Sequence, residues 1–354
     1  MAPGPFEPRD GPSVGAPDLR ARAAAAAAHA RALREATARD LAIPEALRMD
    51  ERTRLALRGM LEQLVDSLER SLFAAVALQG FPGVGPTLPL LQAAGLVADP
   101  VLVDELLARV RLDQLAEGLP HHAPDDPTRP SLLNRLADHP APDLAQAART
   151  LLLAESQARR PDAGRWQLPP RLHAQLLWWV AAAMREQAGI LAGTTLDEAL
   201  CAAVRAEIAL ADRRSGEQVA AAALALVAAL DPQPHELPRL LLEALRDRRV
   251  PLLLALIAWG AGIAYAEARG LLLDAGAERL LLVLHALAVP REGIAELCFT
   301  LCNADPRRDL AALADAIDVL PALDPAIGRE LIAQLQLDPE FRMARAAIRR
   351  GQAG

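Results

Sequence analysis

Six Asp-Pro steps punctuate this chain, at Asp99-Pro100, Asp126-Pro127, Asp231-Pro232, Asp305-Pro306, Asp324-Pro325 and Asp338-Pro339. Between them the sequence is built mainly from Ala, Leu, Arg and Glu, all strong helix formers. An Asp side chain accepts hydrogen bonds from the first free backbone N–H groups of a helix, and Pro at the first helical position loses nothing by lacking its own. Four of the steps, at 99, 305, 324 and 338, run directly into sequence of helical period. No stretch alternates β-branched and polar residues as a half-buried strand would. Together these features predict an all-α fold.

The same signals place helices at roughly 19–40, 51–79, 100–118, 142–158, 169–190, 195–213, 217–230, 236–248, 251–259, 263–274, 276–288, 290–302, 306–318, 324–336 and 339–350. Thr195 and Glu198 have capping-box spacing at the head of the sixth. Short helices with short connections point to stacked helical hairpins rather than one long coiled coil. LLQAAGLVADPVLVDELLARV (90–110) and LLNRLADHPAPDLAQAARTLL (132–152) share a degenerate pattern at a spacing of 42 residues, the rhythm of a HEAT-like α-solenoid. The Pro- and Gly-rich stretch 1–18 reads as a flexible tail. ARRPDAGRWQLPP (158–170) reads as a linker, dividing an N-terminal helical domain over 19–161 from a C-terminal helical-repeat domain over 162–354. In helix 51–79, Leu57, Leu61, Leu64, Leu68 and Leu72 make a narrow apolar seam. It suits packing on helix 19–40 or, alternatively, a homodimer.

Composition narrows the function classes. Of the 354 residues 52% are hydrophobic, too many for a disordered chain. All 38 basic residues are Arg, which removes Schiff-base lysines and a phosphate-loop lysine. Arginines alternate with acids, as in REATARD (34–40), and aromatic residues are 3% of the chain, so no nucleic-acid interface is expected. The N-terminus has no basic stretch followed by an apolar one, and the chain reads as cytoplasmic. The longest apolar run, VPLLLALIAWGAGIAYA (250–266), reads as two buried helices turning at Gly260–Gly262 rather than a transmembrane segment. Cys201, Cys298 and Cys302 make no disulfide framework, and Cys298 and Cys302, four apart, read as core residues on one helix face.

Motifs that carry chemistry are sparse. There is no G-x-S-x-G, phosphate loop, G-x-G-x-x-G or H-E-x-x-H in the sequence. His121, His122, Asp125 and Asp126 are a dense set of potential ligands, but in a Pro-rich loop they read as solvated polar residues, so no metal or other cofactor is expected. His285, within LLLVLHALAV, reads as a core histidine whose ring nitrogen meets a carbonyl. His29, in an Ala-rich helix, is the candidate phosphoacceptor of a phosphotransfer bundle. Trp178 and Trp179 point about 100° apart on a helix, so one can enter the core while the other lines a partner groove. Carboxylates are abundant, and nothing in the sequence marks one as buried.

Several segments resemble a known family: ATARDLAIPEALRMDERTRLALRGMLEQLVDSLERSL (36–72), LVADP (96–100), WQLPPRLHAQLLWWVAAAMRE (166–186) and 244–290. That family is an uncharacterised, mainly alphaproteobacterial one described as a domain of unknown function (number 2336), and the resemblance spans about 30–340. It implies an all-helical, repeat-like cytoplasmic protein and carries no catalytic residues with it. The leading functional expectation is a non-enzymatic protein-interaction module anchored by Trp178 or Trp179, its partner another protein. The alternatives are a phosphotransfer protein using His29 and an enzyme whose active site lies between the two helical blocks near 158–180.

Overall fold

Asp-Pro chemistry and helix-forming sequence produce what their local physics demands. In the computed structural model, which describes residues 49–77, 85–120, 130–159, 168–189, 193–215 and 218–353, the described residues form sixteen α-helices and no strand. They are α1 (Glu51–Ala77), α2 (Leu88–Ala93), α3 (Pro100–Gly118), α4 (Leu132–Ala137), α5 (Pro142–Ala158), α6 (Pro170–Ala188), α7 (Gly193–Arg213) and α8 (Val219–Leu230). There follow α9 (Leu237–Arg246), α10 (Val250–Ala261), α11 (Tyr265–Leu273), α12 (Glu278–Ala286), α13 (Arg291–Ala304), α14 (Leu310–Val319), α15 (Pro325–Leu335) and α16 (Pro339–Ala353). The protein is all-α.

Three of the four expected Asp caps form. Asp99 Oδ1 accepts from the N–H groups of Val101 and Leu102 at 3.1 and 2.9 Å, Asp324 from Ala326 at 2.8 Å, and Asp338 from Glu340 at 2.8 Å. Asp305 does not cap. It turns inward, where Arg307 donates to it from Nε at 2.9 Å and Nη2 at 2.6 Å, and the helix expected to begin at 306 starts at Leu310 under a cap from Asp309. Asp305 Oδ1 also accepts from the Arg307 backbone N–H at 3.1 Å, so the carboxylate holds a turn at 305–308 together with the guanidiniums of Arg307 and Arg308. Helix α7 begins at Gly193, so Thr195 stands inside its first turn rather than at a cap. Sequence periodicity missed α2 and α4, each only six residues long.

The chain divides into two compact units, Met1–Arg54 and Leu55–Gly354. The first is described only from residue 49, where Asp50 caps α1 through Thr53, accepting from its N–H at 2.8 Å and its hydroxyl at 2.7 Å. Within the second, two apolar cores interleave along the sequence. One gathers Leu64, Leu68 and Leu72 of α1 with Leu102 and Leu106 of α3 and the buried faces of α6 and α7. The other gathers Leu115 of α3 with α4, α5 and most of α8–α15. Helix α3 therefore serves both. Of the leucine seam of α1, Leu64, Leu68 and Leu72 are buried in this core and Leu57 and Leu61 pack partly buried against it, while helix 19–40 lies outside the described residues, as do 160–167, where the sequence suggested a domain boundary.

Neighbouring helices pack as pairs at α4–α5, α6–α7 and α9–α10, but α3 also packs on α11 and α13, far along the chain. The run 250–266 folds as α10 and α11, bent by 113° at Gly262, whose φ of +61° is left-handed and open to glycine. Among the described residues no single helix is long and apolar enough to cross a membrane, and Leu252–Ala258 are buried in the larger core.

Candidate functional site

Helix α6 starts at Pro170 and stops at Gly189, where φ is +70°. Its inner face, Leu172, Leu176, Leu177, Val180 and Met184, is buried in the smaller core. The 100° step between consecutive residues then splits the tryptophan pair. Trp179 packs partly buried against that core, and Trp178 remains 39% exposed. Around Trp178 on the outer face stand Arg171, Ala182 and Glu186, also exposed. The helix is held at its C-terminal end by Arg185, which ion-pairs with Asp197 of α7 and donates from Nη1 to the Gly189 carbonyl at 2.9 Å. The indole is thus a large apolar group presented on a rigid element between charges of both signs.

A second assembly is internal. Glu105 of α3 is buried and accepts from Arg109 Nε at 2.9 Å and from Arg269 of α11 at 3.1 and 2.6 Å. Burial alone would raise its carboxyl, but the hydrogen bonds and charges of Arg269 and Arg109 outweigh that and hold it below the usual range. Asp113, one turn beyond Arg109, is pushed the other way by burial and by the charge of Glu117. Nearby, Glu155 of α5 pairs with Arg249 at the head of α10, and its other carboxylate oxygen is buried without a hydrogen-bond partner. Tyr265 feels both groups: burial lifts its phenol well above the ordinary range, with Arg269 opposing and Glu155 adding. With both oxygens of Glu105 engaged by guanidinium groups, the assembly works as an ionic clamp tying α3 to α11 rather than as an acid or base.

The third cluster lies where α13 ends. The Arg308 side chain is 1% exposed; it donates to the Leu272 carbonyl, faces Asp305 Oδ2 at 3.6 Å, and its Nη1 is buried without a hydrogen-bond partner. Cys298 is buried and Cys302 partly so, and burial raises both thiols, that of Cys298 to about 12. They sit in the core, unactivated as nucleophiles.

The remaining candidates scatter. His285 Nε2 lies 3.3 Å from the Leu323 carbonyl, in a partly buried position. His29, His121, His122, Asp125 and Asp126 lie outside the described residues, as do 160–167 of the region expected to hold an inter-block active site. Among the described residues no group of three or more His, Cys, Asp and Glu is placed to hold a metal ion. Glu105 and Arg109 are spaced i, i+4, a partial sign of the clamp; no local pattern points to Arg269, 164 residues from Glu105. Searches against models of protein families, against curated proteins and against solved structures find no match to this chain.

Proposed function

We propose that this chain is a non-enzymatic, all-helical protein-interaction module whose partner seats on the outer face of α6, with Trp178 as the anchor. The observation that carries the reading is the exposure of Trp178 on a helix whose opposite face is fully committed to a core. A tryptophan held in place before binding loses little freedom when a partner covers it, and tryptophan is enriched at the few positions that dominate interface energetics. Arg171 and Glu186 on the same face supply charges that select a complementary partner. Trp179 takes the supporting role, fixing α6 from beneath. The finer architecture we propose, HEAT-like stacking, rests on the adjacent pairs α4–α5, α6–α7 and α9–α10.

The test is cross-linked affinity purification from the source cell with wild type and Trp178→Ala side by side, with circular dichroism confirming that the variant folds. A protein captured stoichiometrically by wild type and lost by the variant supports the assignment; at a hot spot the loss is about 2 kcal/mol or more, on the order of 30-fold in affinity. A folded variant that keeps every partner overturns it.

A further inference from the structure

The outer face of α6 has a charge pattern that matches its own reverse. At 100° per residue, Arg171, Gln175, Trp178, Ala182 and Glu186 fall within an arc of about 80°, on the side away from the smaller core. Arg171, Ala182 and Glu186 are exposed, Trp178 is 39% exposed and Gln175 is half-buried. Arg171 lies seven residues before Trp178 and Glu186 eight after it, roughly 10 and 12 Å along the axis. Gln175 and Ala182 stand roughly 5 and 6 Å away on the same two sides. Opposite charges thus sit at matched distances from a point between Trp178 and Trp179. Arg185 on the same helix is committed to Asp197, whereas among the described residues Arg171 and Glu186 have no ion-pair partner.

Granted that the outer face of α6 is the binding face, we infer that its occupant is a second copy of this chain, seated antiparallel about a two-fold axis beside Trp178. Such an axis lays one α6 end for end on the other. Arg171 of each copy then meets Glu186 of the other, so the same ion pair forms at both ends of the contact. The two Trp178 indoles meet at the centre, and Gln175 meets the small Ala182. Charge selects this occupant. The face carries one charge of each sign, so neither a uniformly acidic nor a uniformly basic surface matches it. A parallel copy would set Arg171 against Arg171 and Glu186 against Glu186, which repels. At 19 residues α6 is about 28 Å long, and one helix face covers less than the ~800 Å² per partner of a standard interface, so the dimer is weak and reversible.

Sedimentation velocity of the full chain over a concentration series tests the dimer. Wild type is expected to pass reversibly from monomer to dimer as concentration rises, and the dimer should weaken as salt screens the exposed ion pairs. Trp178→Ala should weaken self-association on the order of 30-fold. Arg171→Glu and Glu186→Arg should each be monomeric alone, because each brings like charges together at both ends. Mixed in equal amounts, the two variants should associate, since every charge then faces its opposite. The variant carrying both substitutions should dimerise by itself. Arg171 and Glu186 are exposed, so circular dichroism should show the fold unchanged. Three results would overturn the inference: a wild type that is monomeric at about 1 mM, where even a millimolar dimer is populated; a dimer indifferent to all three single variants; or monomeric charge variants that do not recover on mixing. If wild type is monomeric and Trp178→Ala loses a captured protein of different sequence, the dimer alone falls and α6 remains a binding face for that protein. If a folded Trp178→Ala keeps both its dimer and every captured protein, both readings fall.

Discussion

Gly118, the last residue of α3, lies against Ala304, the last of α13, so closely that a β-carbon on the glycine would overlap the alanine carbonyl oxygen and stand 3.0 Å from its Cα. The obstacle is backbone, which cannot swing aside as a side chain can. Gly118→Ala is expected to cost about 1–3 kcal/mol as the helix ends are forced apart, read as a lower urea midpoint. Gly59→Ala is the control, because no atom lies within 4 Å of a β-carbon there.

Gly328 holds α15 against α12 in the same manner. A β-carbon would collide with the Leu282 carbonyl oxygen and lie 2.8 Å from Ala286 Cβ. Gly328→Ala should lower stability by about 1–3 kcal/mol. Adding Ala286→Gly relieves only the methyl contact, so partial recovery is expected in the double variant's unfolding curve.

Glu105→Gln removes the charge from the clamp while keeping its shape. Arg109 and Arg269, both largely buried, then lose the carboxylate charge they share, and breaking such a pair costs about 3–5 kcal/mol. Chemical denaturation should show this loss. Glu105→Gln combined with Arg269→Gln should lose less than the sum of the two single variants, since each single change already breaks the shared interaction.

Acid should unfold the protein through the carboxylates held by arginine. For Glu105, Glu243 and Asp305, burial opposes ionisation, but Arg269, Arg135 and Arg307 respectively overcome it and lower the pKa. A depressed folded-state value contributes stability that is present above the unfolded carboxylate range of about 4 and is lost as pH falls through the folded values. Asp113 has the opposite sign: its raised value penalises the ionised native state, a penalty relieved as pH falls through its folded pKa. Stability measured against pH should therefore fall steeply below about pH 4 in wild type, less steeply in Glu105→Gln. Asp113→Asn should be more stable than wild type at neutral pH.

Cys298 should resist alkylation. With its thiol pushed to about 12 by burial, the thiolate available at pH 8 is roughly a thousandfold less than for an ordinary cysteine. Iodoacetamide followed by peptide mass spectrometry should find Cys298 unlabelled in the native protein and labelled in denaturant.

The helices were legible because their causes are local. Asp99, Asp324 and Asp338 cap the helices that follow because carboxylate, proline and the free N–H groups lie within a few residues of one another. Asp305 has the same Asp-Pro signal and a different fate: its carboxylate goes to the backbone N–H and guanidinium of Arg307 and to the guanidinium of Arg308, and the helix starts at Leu310 instead. Helices α2 and α4 escaped notice because six residues are too few to display a period.

The sequence by itself determined that the chain is helical and where most helices begin. Tertiary structure alone decided how the adjacent tryptophans divide: Trp178 is exposed because Leu176, Leu177 and Val180 orient α6 into a core shared with α1 and α7. It also decided that Glu105 is a buried clamp rather than one more surface carboxylate. Capping and periodicity act over one or two turns, whereas burial, pairing and exposure depend on groups up to 164 residues apart that only the folded chain brings together.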